Sequence, residues 1–310
     1  THGGDGIFIR VGNGWSCEGN VFINNDTSFA NNNAVESWAG RNYFIGNKAN
    51  YSSYGFWLGG TDESVVSYNE VAYNGIMPAN AAERGAGNGG LVYLNGSAEH
   101  IELVGNYIHH NNGSGIAIRY DNSDAAGYVA GHILIQNNRI ENTTKGAGTG
   151  AAIYLDSVDW VDISANMLSD NEIDGVYKNP NGKYPVTNVF EHSGTYIADP
   201  DEYRAAAPEA RITVDNAQFR VGEEITFSAA SSVSKSGNPL TYRWSMGDGF
   251  GADATIRTTE TVAYTFEQPG YYDVALTVQD GELCAIAWLN VNVVAAGEEL
   301  GTENASEWSI

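Results

Sequence analysis

His109 and His110 follow the short apolar run Tyr107-Ile108, and Arg119-Tyr120-Asp121 closes the next such run. A histidine near an arginine, an aspartate and a tyrosine has the parts for acid–base work on a glycosidic linkage or an acidic α-proton. Paired carboxylates do glycoside hydrolysis when a sugar fits between them, and Glu36, Asp156 and Asp159 are available for that. These residue types name His109, His110, Arg119, Asp121 and Asp156 as the candidate catalytic set. A second set carries rings and charges suited to holding a sugar polymer: Arg10, Glu36, Trp38, Trp57 and Tyr154. Aromatic rings stack on apolar sugar faces, while arginine and carboxylate groups bond hydroxyls or uronate carboxylates. Asp121-Asn122-Ser123-Asp124 and Asp248 offer oxygens of the kind Ca²⁺ takes, without EF-hand spacing. The sequence otherwise calls for no cofactor, and no His/Cys cluster has metal-ligand spacing.

Both sets lie in a repeating stretch. Asn, an apolar pair and a second Asn recur with leading positions Asn20, Asn42, Asn69, Asn106, Asn138 and Asn166, in steps of 22, 27, 37, 32 and 28 residues. Between them sit short apolar strands such as Gly55-Phe56-Trp57-Leu58, Gly115-Ile116-Ala117-Ile118 and Ala152-Ile153-Tyr154-Leu155. A unit this short cannot bury its apolar face alone, and stacking such units builds one continuous core. Asn suits the turns because it tolerates the left-handed backbone and bonds nearby peptide groups. Strand alternation sends Ile7/Ile9, Phe56/Leu58, Ile116/Ile118 and Ile153/Leu155 inward. Phe8, Arg10, Glu36, Trp38, Trp57, Ala117, Arg119, Tyr154 and Asp156 then face out on coils about 4.8 Å apart. The pattern resembles the right-handed parallel β-helix repeat over roughly residues 1–200. By that resemblance, polysaccharide lyases and uronan epimerases are enzyme classes to consider, beside the glycoside hydrolases that the paired carboxylates suggest.

Asp199–Pro208 reads as a linker, after which alternating strands replace the Asn-rich turns. Tyr242-Arg243-Trp244-Ser245-Met246-Gly247-Asp248-Gly249, Tyr264–Val274 and Thr277-Val278-Gln279-Asp280-Gly281 resemble the polycystic-kidney-disease (PKD) domain, an immunoglobulin-like sandwich. That resemblance implies secretion or surface display, and it places Trp244 in a core. The expected architecture is all-β: a right-handed parallel β-helix solenoid of about seven coils over 1–198, a linker over 199–210, a PKD-like β-sandwich over 211–295, and a tail over 296–310. Cys17 and Cys284 fall in different domains and are expected as buried free thiols.

The charge narrows the partners. The chain carries 15 Lys+Arg against 38 Asp+Glu, a net charge of −23. A nucleic acid needs a basic face, and an anionic membrane repels such a chain. No apolar run approaches the roughly 20 residues of a membrane span. The expected function is an extracellular or cell-surface protein that binds a polysaccharide and cleaves it if the catalytic set assembles. The alternatives are a structural subunit, joining further copies of itself through an open first coil and the tail Thr302–Ile310, and an adhesin-like module.

Overall fold

In a computed structural model of the chain, residues 4–10, 17–59, 62–76, 89–95, 99–120, 129–146, 149–216, 218–248, 251, 254–297 and 307–308 are described. Two compact units follow each other, Thr1–Pro200 and Asp201–Ile310.

The first unit is a right-handed parallel β-helix, the hand that twisted parallel strands impose on their crossovers. Three sheets run along it. Sheet 1 has seven strands: Ile7–Arg10, Asn33–Trp38, Tyr54–Gly59, Leu91–Asn95, Ile116–Tyr120, Ala151–Leu155 and Ile173–Lys178. Sheet 2 has seven: Val21–Ile23, Tyr43–Ile45, Val65–Ser67, Glu99–Val104, Ala130–Gln136, Val158–Ser164 and Thr187–His192. Sheet 3 has four: Glu70–Ala72, Tyr107–His109, Arg139–Glu141 and Met167–Ser169. Every neighbouring pair in these sheets is parallel, so like positions stack on like.

Apolar side chains at the expected inward positions form the core. Phe56, Leu58, Ile116, Ile118, Ile153 and Leu155 are fully buried, with Ile9 nearly so and Ile7 half-buried against them.

The corners need left-handed backbone, which few L-residues adopt cheaply. Between sheets 2 and 3 the positive-φ position is filled by Asn24, Gly46, Tyr68, Gly105, Asn137 and Ala165. Beside it runs an asparagine ladder. Asn25, Asn47, Asn69 and Asn106 each donate through Nδ2 to the Oδ1 of the next asparagine at 3.0 Å. Asn138 does the same to Asn166 at 3.0 Å. The second Nδ2 hydrogen of Asn69 goes to the Phe44 carbonyl and that of Asn106 to Val66, at 2.9 and 2.8 Å. This corrects the repeat as read from sequence. Asn20 and Asn42 bond each other at a different corner, before sheet 2, so the first two steps of this ladder are both 22 residues. Strands of three residues make the two corners look alike in sequence.

The second unit is a β-sandwich. One sheet holds Thr213–Val214, Glu224–Ser228 and Thr261–Thr265. The other holds Phe219–Arg220, Leu283–Val294, Gly270–Asp280 and Thr241–Ser245. Trp244 is fully buried in the sandwich core, and its Nε1 donates to the Thr259 carbonyl at 2.9 Å. Part of the expected linker is a helix, Pro200–Ala206. Glu307–Trp308 pairs antiparallel with Trp288 and Leu289, so this piece of the tail adds to the sandwich rather than to a solenoid strand. Cys284 is buried as expected, but Cys17 is exposed because it precedes the first short strand of sheet 2 at the end of the stack.

Candidate functional site

Parallel register turns single outward positions of sheet 1 into a continuous row. Phe8, Glu36, Trp57, Val92, Ala117, Tyr154 and Tyr177 follow one another across its seven strands. A second row begins with Arg10 opposite Trp38 and continues through Gly59, Leu94 and Arg119.

The two rows interlock through residue size. Trp38 swings its indole across Gly59, where an added Cβ would meet the Cε3 atom at 2.7 Å. The indole Nε1 donates to Glu36 Oε1 at 2.7 Å, and Asn33 Nδ2 donates to the same carboxylate. Trp38, Trp57 and Tyr154 pack against Val92 and Ala117, which are fully covered. Ala117 was expected on a solvated face, and the structure corrects this: large rings on neighbouring coils close over the small residue. Tyr54 meets Trp57 edge-on at 4.8 Å, and Tyr154 stacks on Tyr177 at 5.7 Å. The result is a patch of five rings, all half-buried, over a floor of small residues.

Charged groups thread this patch. Burial raises the Tyr54 and Tyr154 phenols above the usual tyrosine range, and the Arg119 guanidinium opposes the rise in both. Arg119 is thus close to rings on both flanks. Asp156 accepts from Ser157 Oγ at 2.9 Å on Oδ1 and from Asn179 Nδ2 at 3.1 Å on Oδ2. At the edge, the Lys183 ammonium bonds the Tyr120 hydroxyl and lies over the Tyr120 and Tyr184 rings, 4.6 and 5.4 Å from their centroids. Phe8 and Arg10, at the other end, are exposed.

The candidate catalytic residues do not gather here. Arg119 and Asp156 belong to the sheet 1 face, whereas His109 is on sheet 3 and His110 occupies the corner after it. Ten residues of sequence separate His109 from Arg119, and the chain turns a corner between them. Asp121 lies outside the described residues, as does the whole Asp121–Asp124 segment.

His109 has its own neighbours. Its ring stacks on Tyr107 at 4.1 Å, its Nε2 is 3.9 Å from Glu70 Oε1, and its Nδ1 is 2.9 Å from Nδ1 of His110. Burial lowers its pKa, His110 adds to the lowering, and Glu70 opposes it, so the imidazole is neutral at pH 7. Tyr107 donates to Glu141 Oε1 at 2.6 Å, and burial with that bond pushes its phenol up to about 12. Burial alone would raise Glu141, but Tyr107 and two donors from Arg139, at 2.9 and 3.0 Å, hold it below the usual carboxylate range. The Tyr107 ring is thus in contact with His109 and also carries Arg139 at 4.7 Å from its centroid. A depression of about 240 Å³ beside the cluster is lined by Tyr68, Glu70, Tyr107, Asn137 and Tyr196 among others. His110 is a corner residue at φ 53°, the fourth ring of a ladder with Phe29, Tyr51 and Tyr73, spaced 4.9–5.0 Å. Rings stacked face to face leave their edges, rather than their faces, for a sugar.

Asp248, considered for Ca²⁺, accepts on Oδ2 from Arg257 Nη2 at 3.0 Å and from the Tyr264 hydroxyl at 2.9 Å. A guanidinium of the protein already neutralises that carboxylate.

Sequence reasoning missed Tyr54, Tyr177 and Lys183. Extending the alternation one coil further, from Tyr154 to the run Gly175-Val176-Tyr177, finds Tyr177. Lys183 follows Gly182, whose lack of a side chain lets the turn press against Asp156 Oδ1.

Comparison with known proteins bears on the second unit most directly. The PKD domain family model matches residues 205–291. A microbial collagenase from Vibrio alginolyticus is 39% identical over 92 residues, which is 29% of this chain and 11% of the collagenase. The chain thus spans about a tenth of that relative's length. A structure described for carbohydrate-binding modules of the β-sandwich superfamily shares 28% identity over 31% of this chain and 38% of its own, with a TM-score of 0.27. The tailspike gp49 of Acinetobacter baumannii bacteriophage Fri1, a capsular polysaccharide depolymerase, aligns over 93% of this chain and 53% of its own at 12% identity and a TM-score of 0.24. The chain is a parallel β-helix followed by a PKD domain.

Proposed function

We propose that this is an extracellular glycan-binding protein whose β-helix holds a polysaccharide along the outer face of sheet 1, with the PKD domain as spacer or accessory binder. The observation that carries the reading is the ring patch. Trp38, Trp57 and Tyr154 sit over the Val92–Ala117 floor, with Arg119 beside them and row positions repeating at each coil. A polymer with a repeating apolar face and repeating hydroxyls matches such a row. The PKD match supports a place outside the cell.

Binding rather than cleavage is the reading favoured here. The histidines and the Arg119–Asp156 group lie on different sheets, and Glu141 and Tyr107 are occupied by each other and by Arg139.

Affinity electrophoresis against neutral and acidic plant, algal and capsular polysaccharides tests the reading. At least one polymer should retard the protein, and Trp57→Ala should weaken that binding about tenfold, the scale of one lost ring stack of ~1.4 kcal/mol. No retardation by any polymer, or unchanged binding in Trp57→Ala, sinks the proposal.

A further inference from the structure

Cations are scarce in this chain, 15 against 38 acidic groups. Many of those described are tied to carboxylates. Arg41 pairs with Glu63, Lys48 with Glu70, Arg139 with Glu141, Lys178 with Glu191, and Arg257 with Asp248. Arg211 and Lys235 share Glu209.

Lys183 is placed differently. Its ammonium bonds the Tyr120 hydroxyl and lies over the rings of Tyr120 and Tyr184. Neither partner is a carboxylate, so no ion pair compensates the positive charge among the described residues. The side chain is exposed. It is also anchored, because its turn is pinned to the end of strand Ala151–Leu155. Asn179 Nδ2 bonds Asp156 at 3.1 Å, Tyr184 N–H bonds Ser157 Oγ at 3.0 Å, and Gly182 lies against Asp156.

The ammonium therefore sits at the edge of sheet 1 on Tyr120, the residue that follows Arg119 of the second outward row. The nearby Asp156 accepts from Ser157 and Asn179, and no ion pair joins it to Lys183 among the described residues. The same row starts at Arg10, which is exposed. Four strand spacings separate Arg10 from Arg119, about 19 Å along the axis.

We propose that Lys183 is an anion-holding subsite at the edge of the sheet 1 face, and that the polysaccharide bound there carries repeated negative groups, carboxylates or sulfate esters. The proposal rests on sheet 1 being the glycan face. A lone small anion would find one flexible point charge at Lys183. A charged polymer also reaches Arg10 while its rings lie on Trp57 and Tyr154. The chain's charge of −23 repels such a polymer at a distance, but about 0.1 M salt confines that field to roughly 10 Å. Contacts at the site then decide.

The test compares the full chain's affinity, in 0.15 M salt, for polygalacturonate and its carboxyl-reduced form, and for a sulfated galactan and its desulfated form. The wild type is expected to prefer at least one acidic polymer to its neutral counterpart by about tenfold, and the preferred pair identifies the anionic group. Lys183→Gln is expected to cut that preference about fivefold, the scale of one exposed charge contact. Its effect on the neutral counterpart should be much smaller, and Lys183→Arg should restore most of the loss because it keeps both charge and ring contact. Lys145→Gln, at an exposed lysine elsewhere on the solenoid, should not alter the preference. Equal affinity for acidic and neutral polymers, or a full preference in Lys183→Gln, overturns the subsite and leaves the glycan face standing. Failure of all four polymers to bind overturns the subsite, and failure of the whole electrophoresis panel as well overturns the glycan face.

Discussion

Replacing Asn106 by alanine tests the ladder that holds the coils in register. The side chain is buried, with 1% of its surface exposed. Its Nδ2 donates to the Val66 carbonyl at 2.8 Å and to Asn138 Oδ1 at 3.0 Å. Its Oδ1 accepts from the backbone and side-chain nitrogens of Asn69, both at 3.0 Å. Four bonds at a net ~1 kcal/mol each give a loss of about 4 kcal/mol, and the groups left unpaired in the interior push it upward. Asn25→Ala at the first rung is the control. That residue is exposed, and its side chain makes one ladder bond, to Asn47 at 3.0 Å. About 1 kcal/mol is expected there. Urea unfolding of the full chain, followed by far-UV circular dichroism, should show the solenoid transition moved down by about 1–2 M in Asn106→Ala, for a slope of ~2–3 kcal/mol/M. The sandwich transition serves as an internal reference. If Asn106→Ala and Asn25→Ala differ by less than about 1 kcal/mol, the ladder is decoration and apolar stacking alone sets the register.

Gly59→Val should displace the Trp38 indole from its shelf and weaken glycan binding about tenfold with only a small change in the urea midpoint, since Gly59 does not need left-handed backbone. For His109 the sign follows from burial and His110, which lower its folded pKa. Its contribution to stability is present above the unfolded value of ~6.5 and is lost as pH falls through the folded value. In urea midpoints measured from pH 7 to 5.5, above the range where Glu141 titrates, His109→Gln should therefore lose less stability than the wild type, since Glu102, pushed up to about 7 by burial, and His100, pushed down to about 4, contribute to both proteins alike. Asp280 accepts from Ser234 Oγ at 3.0 Å, from the Lys235 and Ser236 backbone at 2.8 and 2.9 Å, and from Ser236 Oγ. Asp280→Ala should cost the sandwich about 3 kcal/mol and leave the solenoid endotherm in place by calorimetry.

Much of the fold is legible in the sequence because the chemistry of a stacked coil repeats at each turn. Phe56, Ile116 and Ile153 declare the inward row by alternation, and Tyr242–Gly249 declares the sandwich. The corners are harder. Asn42 and Asn47 lie on either side of one three-residue strand, so an Asn-apolar-apolar pattern fits two corners equally well until hydrogen bonds separate them. The functional residues divide in the same way. Trp57, Tyr154 and Arg119 come from strand alternation and do meet on one face. His109 and Arg119 are close in sequence and still point from different sheets, because a corner lies between them. Lys183 carries no periodic signal at all. Its position follows from one turn pressed against Asp156.

The ladder spans unequal chain lengths with equal geometry. Asn47 reaches Asn69 across 22 residues, and Asn69 reaches Asn106 across 37, both at 3.0 Å. Length inserted between rungs thus leaves the rungs undisturbed. The outer face of sheet 1 can then be lengthened in steps of one coil, about 4.8 Å, and furnished with different loops at each step. The scaffold behaves as a ruler with exchangeable attachments, and on the glycan-binding reading proposed above a change in a polymer's repeat length can be met by adding or removing a coil rather than by redesigning the site.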